Sequence, residues 1–240
     1  MTLAGRVTLV TGAGRGIGRA CVEALSAEGA KVAVGFLGDE DSAAELAASC
    51  KDGIAVRIDV EDQEEVDRAF GEVEERLGSV EILVNNAGIT RDRLLLRMKE
   101  AEWEEVISTD LTGVFRCTKR ALPGMLKGGW GRVVTIGSVV GSAGNAGQTN
   151  YAAAKAGVVG FSKSLAREVA NHGITVNVVA PGLVDTDLTA ALSPAARQAL
   201  LDRIPLRRAG EPEEIAEAVR FCVRASYLTG QVIGIDGGLT

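Results

Sequence analysis

Tyr151 and Lys155 stand four residues apart in a helical stretch, so both side chains project from one face. Ser138 precedes the tyrosine at the end of the β-branched run Arg132 to Ile136. A phenol titrates near 10 and exchanges a proton at neutral pH only if its anion is stabilised. A lysine ammonium at ~4 Å, in an effective dielectric of ~20, supplies about 4 kcal/mol, roughly three pK units, enough to bring Tyr151 near 7. With Ser138 hydrogen-bonded to a carbonyl oxygen and Tyr151 protonating it, the three side chains could assist reduction of a carbonyl. The stretch Val133 to Ala154 carries no charge. It would give this chemistry a dry wall that keeps the lysine's field strong. A Tyr-x-x-x-Lys pair alone is a common helical pairing, and its meaning comes from its company.

That company begins with Thr11-Gly12-Ala13-Gly14-Arg15-Gly16-Ile17-Gly18, set between a short apolar run and a helical stretch. Glycines permit the turn, bring backbone N–H groups to a pyrophosphate and let helix and strand pack closely, while the helix N-terminus favours the anion. The expectation is a dinucleotide. The second run ends in Gly35-Phe36-Leu37 with no acid to hold a ribose 2′-hydroxyl, and Arg15 could meet a 2′-phosphate, which favours NADP(H) over NAD(H). Asp39 follows closely and is the residue that could reverse this preference.

Positioning these residues requires alternating elements. Runs at Val7 to Thr11, Lys31 to Phe36, Ile54 to Ile58, Val80 to Val84, Arg132 to Ile136, Thr175 to Val179 and Gln231 to Ile235 read as buried parallel strands. Amphipathic stretches lie between them, such as Asp62 to Leu77 with Val66, Ala69, Phe70, Val73 and Leu77 on one face. Right-handed crossovers then give a Rossmann-type, doubly wound, seven-stranded parallel α/β sheet in a single domain over residues 1–240. Segments Thr90 to Ala101 and Val184 to Gly210 break the rhythm after strands and are candidate substrate covers.

Composition narrows the classes further. The 240 residues are 46% hydrophobic and 24% charged with net charge −6, which excludes disorder and leaves no basic stripe for nucleic acid or membrane surface. The start lacks the regions of a signal peptide, so a cytoplasmic chain is expected. Four cysteines without metal-type spacing read as reduced core thiols, and His172, the only histidine, as a helix-end residue, so no metal is expected.

On the glycine loop, Asp59-Val60, Asn85 to Gly88, Ile136 to Gly141, Asn150 to Lys155, Asn177 to Thr186 and Asp236-Gly237-Gly238, the sequence resembles the short-chain dehydrogenase/reductase family over its length, and within it the 3-oxoacyl-[acyl-carrier-protein] reductases. The resemblance implies NADPH-dependent reduction of a 3-oxoacyl thioester to the (R)-3-hydroxyacyl product in fatty acid synthesis, by a homotetramer built on long helices, here about 101–125 and 151–171. It implies that Ser138, Tyr151 and Lys155 are catalytic. Asp59 and Val60 would border the adenine, Asn86, Ala87 and Gly88 the ribose, and Leu37 the adenosine phosphate. Tyr151 and Lys155 would also touch the nicotinamide ribose, with Val184 and Thr186 at the nicotinamide end.

Two departures matter. The family's fourth catalytic residue is an asparagine in Asn-Leu-Thr, where this chain reads Asp110-Leu111-Thr112. The aspartate adds a negative charge that offsets part of the Lys155 field and pushes Tyr151 back up, so Asp110→Asn is expected to raise the rate near neutral pH. The second departure concerns an acidic carrier protein. Basic positions common in relatives read Gly129 and His172 here, leaving Lys127, Arg132, Arg91, Arg93 and Arg97 as candidate contacts. Leu94, Leu95, Leu96 and Met98 fit either an acyl channel or a helix packing stripe. Two alternatives stay open: a reductase of another carbonyl, and a cofactor-binding subunit disabled by Asp110.

Overall fold

The computed structural model describes residues 2–186, Thr189 and 194–240. Seven parallel strands form one sheet in the order β3-β2-β1-β4-β5-β6-β7. They are β1 (Val7–Val10), β2 (Lys31–Phe36), β3 (Gly53–Arg57), β4 (Ile82–Asn85), β5 (Gly131–Ile136), β6 (Ile174–Pro181) and β7 (Val232–Ile235). All seven runs expected from the sequence are strands, with ends shifted by up to two residues. The order reverses direction between β1 and β4, which opens a crevice beyond their carboxyl ends.

Side chains alternate across the sheet and supply two cores. On one face Val10, Val32, Val84 and Val134 pack under α1 (Gly16–Ala27), α2 (Glu40–Ser49) and the late helix Pro212–Arg224. On the other, Leu9, Ala33, Leu83 and Val133 pack under α3 (Gln63–Arg76) and the helices that follow β4 and β5. The α3 helix forms because its apolar residues recur at helical spacing and Asp62 caps it, accepting from Glu64 N at 2.8 Å and Glu65 N at 3.2 Å.

After β4 the chain runs through a 3-10 turn, Leu95–Arg97, into α4 (Glu100–Ile107), one π-helical turn (Ser108–Thr112) and α5 (Gly113–Gly128). After β5 come the short α6 (Val140–Ala143) and the long α7 (Thr149–Val169). Helices α8 (Pro194–Leu201) and α9 (Pro212–Arg224) precede β7. The long helices expected over 101–125 and 151–171 are thus present, the first with the π turn inside it. The expected cover 184–210 lies partly outside the described residues. Among the described residues no helix is long and apolar enough to cross a membrane.

The cysteines are free, and burial pushes the Cys21 and Cys117 thiols up to about 12 and Cys222 to about 11. None of these three is a nucleophile at neutral pH. His172 ends an exposed 3-10 turn before Gly173, whose φ is +72°.

Candidate active site

The glycine loop and the turn after β4 are stitched together. Thr11 Oγ1 accepts from the backbone N–H groups of Asn86 and Ala87, both at 3.0 Å, and Asn86 Nδ2 donates to Thr11 O and Gly12 O at 2.9 Å. Glycine is required here for space and conformation. Gly12 has φ +61° and a Cβ on it would lie 3.0 Å from Ala87 Cα; a Cβ on Gly18 would lie 2.5 Å from Gly12 O. Gly18 is therefore the packing glycine, buried under the loop, while Gly12, Gly14, Arg15, Gly16 and Ile17 line a cleft of about 810 Å³.

Leu37, Asp59, Val60, Asn86, Ala87, Gly88 and Thr186 line the same cleft. Thr186 lies across from Gly16, 3.4 Å from where a Cβ on that glycine would stand. Val184 does not line the cleft. It is buried and bridged to Gly210, so its contribution is to anchor the segment that leads to Thr186. The cleft walls also include Phe36, Ile58, Glu61 and Thr109, which sequence reasoning passed over. For Phe36, Ile58 and Glu61 the signal was position, at or just past the carboxyl ends of β2 and β3; Thr109 comes from the π turn, which no spacing announced.

Beyond Gly88 stand the side chains expected to be catalytic. Lys155 Nζ, only 4% exposed as a residue, donates to Ile136 O at 3.1 Å and lies 3.0 Å from Asp110 Oδ2. Asp110 Oδ1 accepts from Ile89 N at 2.8 Å, so one carboxylate ties the Asn86–Gly88 turn to the lysine. Gly88 makes room for this pair, since a Cβ there would lie 2.8 Å from Asp110 Oδ2 and 3.5 Å from Lys155 Nζ. Lys155 Nζ is 5.4 Å from the Tyr151 ring centre. Tyr151 is half-buried and hydrogen-bonded to Ser138, whose Oγ also accepts from Val140 N at 3.1 Å.

The electrostatics correct one expectation. Burial pulls the Lys155 ammonium down, yet Asp110 and Tyr151 outweigh it and hold it above its ordinary value. Burial pushes the Tyr151 phenol up; Lys155 and Ser138 pull it down, Asp110 and Asp92 push it up, and the balance lies above 10. The fall toward 7 expected from the lysine alone does not occur, because that expectation left out burial and Asp110 is close enough to share the ammonium.

Sequence reasoning also missed what fixes the start of α7. Asn150 is fully buried; its Nδ2 donates to Arg91 O and Glu102 O at 3.1 and 3.0 Å, and its Oδ1 accepts from Tyr151 N at 2.8 Å. Gln148 Nε2 donates to both oxygens of Asp92 at 3.0 Å, and Arg93 N donates to Gly147 O at 2.7 Å. The 90–101 segment is bound to the tyrosine's own helix. Its Leu94, Leu95 and Leu96 point outward, Leu96 at 97% exposure, which removes the helix-stripe reading.

Arg132 is corrected too. It is buried, donating to Val223 O at 3.0 Å, Gly131 O at 2.7 Å and Gly173 O at 3.0 Å, with its guanidinium 4.4 Å from the Trp130 ring centre, so it is no docking cation. Arg91 is paired with Glu105 and Arg93 with Glu102, while Lys127 and Arg97 are exposed.

A cleft at the sheet's switch point is lined by the glycine loop and the turn after β4, with Lys155 next to its lining residue Gly88, and the family model described as enoyl-(acyl carrier protein) reductase matches residues 12–240. The chain is a short-chain dehydrogenase/reductase. Similar members of the family are proteins named 3-oxoacyl-[acyl-carrier-protein] reductase FabG. The chain is 50% identical to that of Escherichia coli (strain K12) and 49% to that of Vibrio harveyi, each over 242 residues. It is 50% identical to that of Pseudomonas aeruginosa over 244 residues; all three alignments cover 100% of this chain and 99% of the relative. As a member of this family it is an oxidoreductase that uses a nicotinamide cofactor.

Proposed function

We propose that the chain reduces 3-oxoacyl thioesters carried on acyl carrier protein to (R)-3-hydroxyacyl thioesters with NADPH, in fatty acid synthesis. The observation that carries the chemistry is Lys155, buried between the cleft turn at Gly88 and the helix of Tyr151. The substrate class follows from the relatives, which match the chain end to end at about 50% identity.

The residues fit the cofactor: glycines leave the backbone bare at the first turn of α1, and the cleft runs from Leu37 to Gly88. Gly12 to Ile17 would hold the pyrophosphate, Asp59 and Val60 the adenine, and Asn86 to Gly88 with Tyr151 and Lys155 the ribose of the nicotinamide half. When bound, the nicotinamide supplies the hydride. Ser138 holds the substrate's carbonyl oxygen, Tyr151 gives it a proton, and Lys155 stabilises the phenolate left behind. Asp110 acts on Tyr151 through Lys155. Arg15 is the cation that would meet a 2′-phosphate.

Further parts of the reading are a cytoplasmic homotetramer of one-domain chains built on α5 and α7, with the 90–101 segment and the 184–210 segment as covers for the thioester. Lys127 and Arg97 remain the exposed cations for an acidic carrier.

The test is NADPH oxidation with acetoacetyl thioesters on acyl carrier protein, on coenzyme A and as the free ketone. The proposal expects turnover, fastest with the carrier-bound form. Equal rates on all three would leave the chemistry and discard the carrier, and no cofactor oxidation would discard the reductase.

A further inference from the structure

The 90–101 segment brings an unmatched negative charge to the site. Asp92 is exposed, and both of its carboxylate oxygens accept from Gln148 Nε2 at 3.0 Å. Gln148 Oε1 accepts in turn from Asn145 Nδ2 at 2.9 Å, and Gln148 stands at the N-cap of α7, three residues before Tyr151. Arg93 N donates to Gly147 O at 2.7 Å, so the base of the segment is fixed to the turn that delivers the tyrosine. The cations on either side of Asp92 are already matched by α4, with Arg91 Nε donating to Glu105 Oε2 at 2.8 Å and Arg93 lying 3.1 Å from Glu102. Among the described residues no lysine or arginine pairs with Asp92, whose partner is a neutral amide. Its field still reaches the Tyr151 phenol and pushes it up. The other carboxylate named there, Asp110, is set against Lys155 at 3.0 Å, which leaves Asp92 as the one without a cation of its own.

We propose that Asp92 is a specificity-determining residue that turns away 3-oxo acids as free carboxylates and admits their neutral thioesters, by holding this unmatched charge on the wall beside Tyr151. The inference rests on the reductase reading above and deepens it. A free 3-oxo acid is ionised at neutral pH and carries its carboxylate one methylene away from the carbonyl to be reduced. With the carbonyl oxygen held by Ser138 and Tyr151, that carboxylate lies next to the phenol and meets the same Asp92 field that opposes a phenolate. Lys155 offers it little compensation, since Asp110 shares the ammonium. A thioester has no charge at that position and is not opposed. A like charge set against the unwanted ligand thus gives selectivity without any new contact to the wanted one.

The test compares acetoacetate with methyl acetoacetate, the same 3-oxo acid with and without its charge, as substrates for NADPH oxidation by the full chain and by Asp92→Asn. Asparagine keeps an oxygen for Gln148 Nε2 and loses the charge. The ratio of kcat/KM on acetoacetate to kcat/KM on the ester should rise about tenfold in the variant at low salt, the order that one partly screened unit charge supplies, and the gain should shrink at high ionic strength. Any change in the acidity of Tyr151 itself acts on both substrates and leaves the ratio alone. Gln148→Ala, which cuts the tie and keeps the carboxylate, should slow both substrates and leave the ratio within about twofold. If acetoacetate turns over too slowly to measure, its inhibition constant against the ester should fall by the same factor in Asp92→Asn. A ratio or inhibition constant that does not move in that direction, or that moves as far in Gln148→Ala, overturns the inference. Asp92→Ser gives the same test if the asparagine variant fails to fold. A wild type that reduces neither the ester nor an acetoacetyl thioester would instead overturn the reductase reading itself.

Discussion

Strand β5 has a buried cation at each end, held in opposite ways. At its carboxyl end Lys155 donates to Ile136 O and faces the Asp110 carboxylate at 3.0 Å. At its amino end Arg132 has three backbone carbonyls and an indole face, and Arg6 stacks over the same Trp130 ring at 4.1 Å. Burial and Arg6 lower the Arg132 guanidinium from its ordinary value, yet an arginine there stays charged. The lysine can lose its proton, and the carboxylate is what keeps the charge on it. One end is built for a charge that acts on its neighbours and the other for a charge that joins β5, β6 and α9.

Breaking each end should give separate readouts. Tyr151→Phe removes the proton donor at the carboxyl end and should cost about 10³-fold in kcat, measured as NADPH oxidation, with cofactor affinity and melting temperature retained. Arg132→Met leaves three buried carbonyls without their donor. Urea unfolding should show a loss of about 3 kcal/mol, and kcat on the folded fraction should be unchanged. If Arg132→Met instead slowed turnover in fully folded protein, the division of labour between the two ends would fail.

Smaller changes sharpen the contrast. Gly88→Ala presses a methyl into the Asp110–Lys155 pair and should lower kcat by about 30-fold with little effect on unfolding, since displacements near 1 Å cost up to ~100-fold. Asp110→Asn should have the smallest effect, a few-fold rise in rate near neutral pH. The sign follows from the phenol. In the proposed reaction Tyr151 works as an acid, and burial holds it above its ordinary value, so it stays protonated through neutral pH and the wild-type rate should decline only in the alkaline range. Without the Asp110 charge the phenol is a stronger acid, and the alkaline decline should move to lower pH in a pH–rate profile. An unmoved profile would show that Asp110 holds the Ile89 turn and leaves the tyrosine untouched. For Lys155, raised above its ordinary value, the pair's contribution to stability is complete below the unfolded lysine's value and is lost only as pH rises through the folded one.

How much of this was legible depended on whether a residue's partner lay within one element. Tyr151 and Lys155 were readable because four residues are one helical turn, and the glycine loop because its constraint is local. The strands were readable from their β-branched runs. Asp110 was readable as a changed letter, but its 3.0 Å approach to Lys155 joins the π turn to α7, and no spacing reports that. Arg132 looked like a surface charge because a strand's first residues are often exposed; only the packing of α9 and the β6 turn over it reveals the burial. Asn150 has its partners in a segment 48 and 59 residues earlier, which pattern alone could not reach.

The π turn at Ser108–Thr112 links helix phase to catalysis. Each residue in an α-helix advances the chain by about 100°, so a π turn acts as a one-residue insertion that lets α4 and α5 present differently phased faces on a continuous axis. Deleting a single residue there would restore an unbroken α-helix and keep the apolar face of α5 toward the sheet, because the wide turn already absorbs one extra residue. It would also remove the widened turn that carries position 110 to Lys155. In this stretch the length of the chain therefore answers to the ion pair and not to the core: a one-residue deletion would spare the packing of α5 and break the contact between positions 110 and 155.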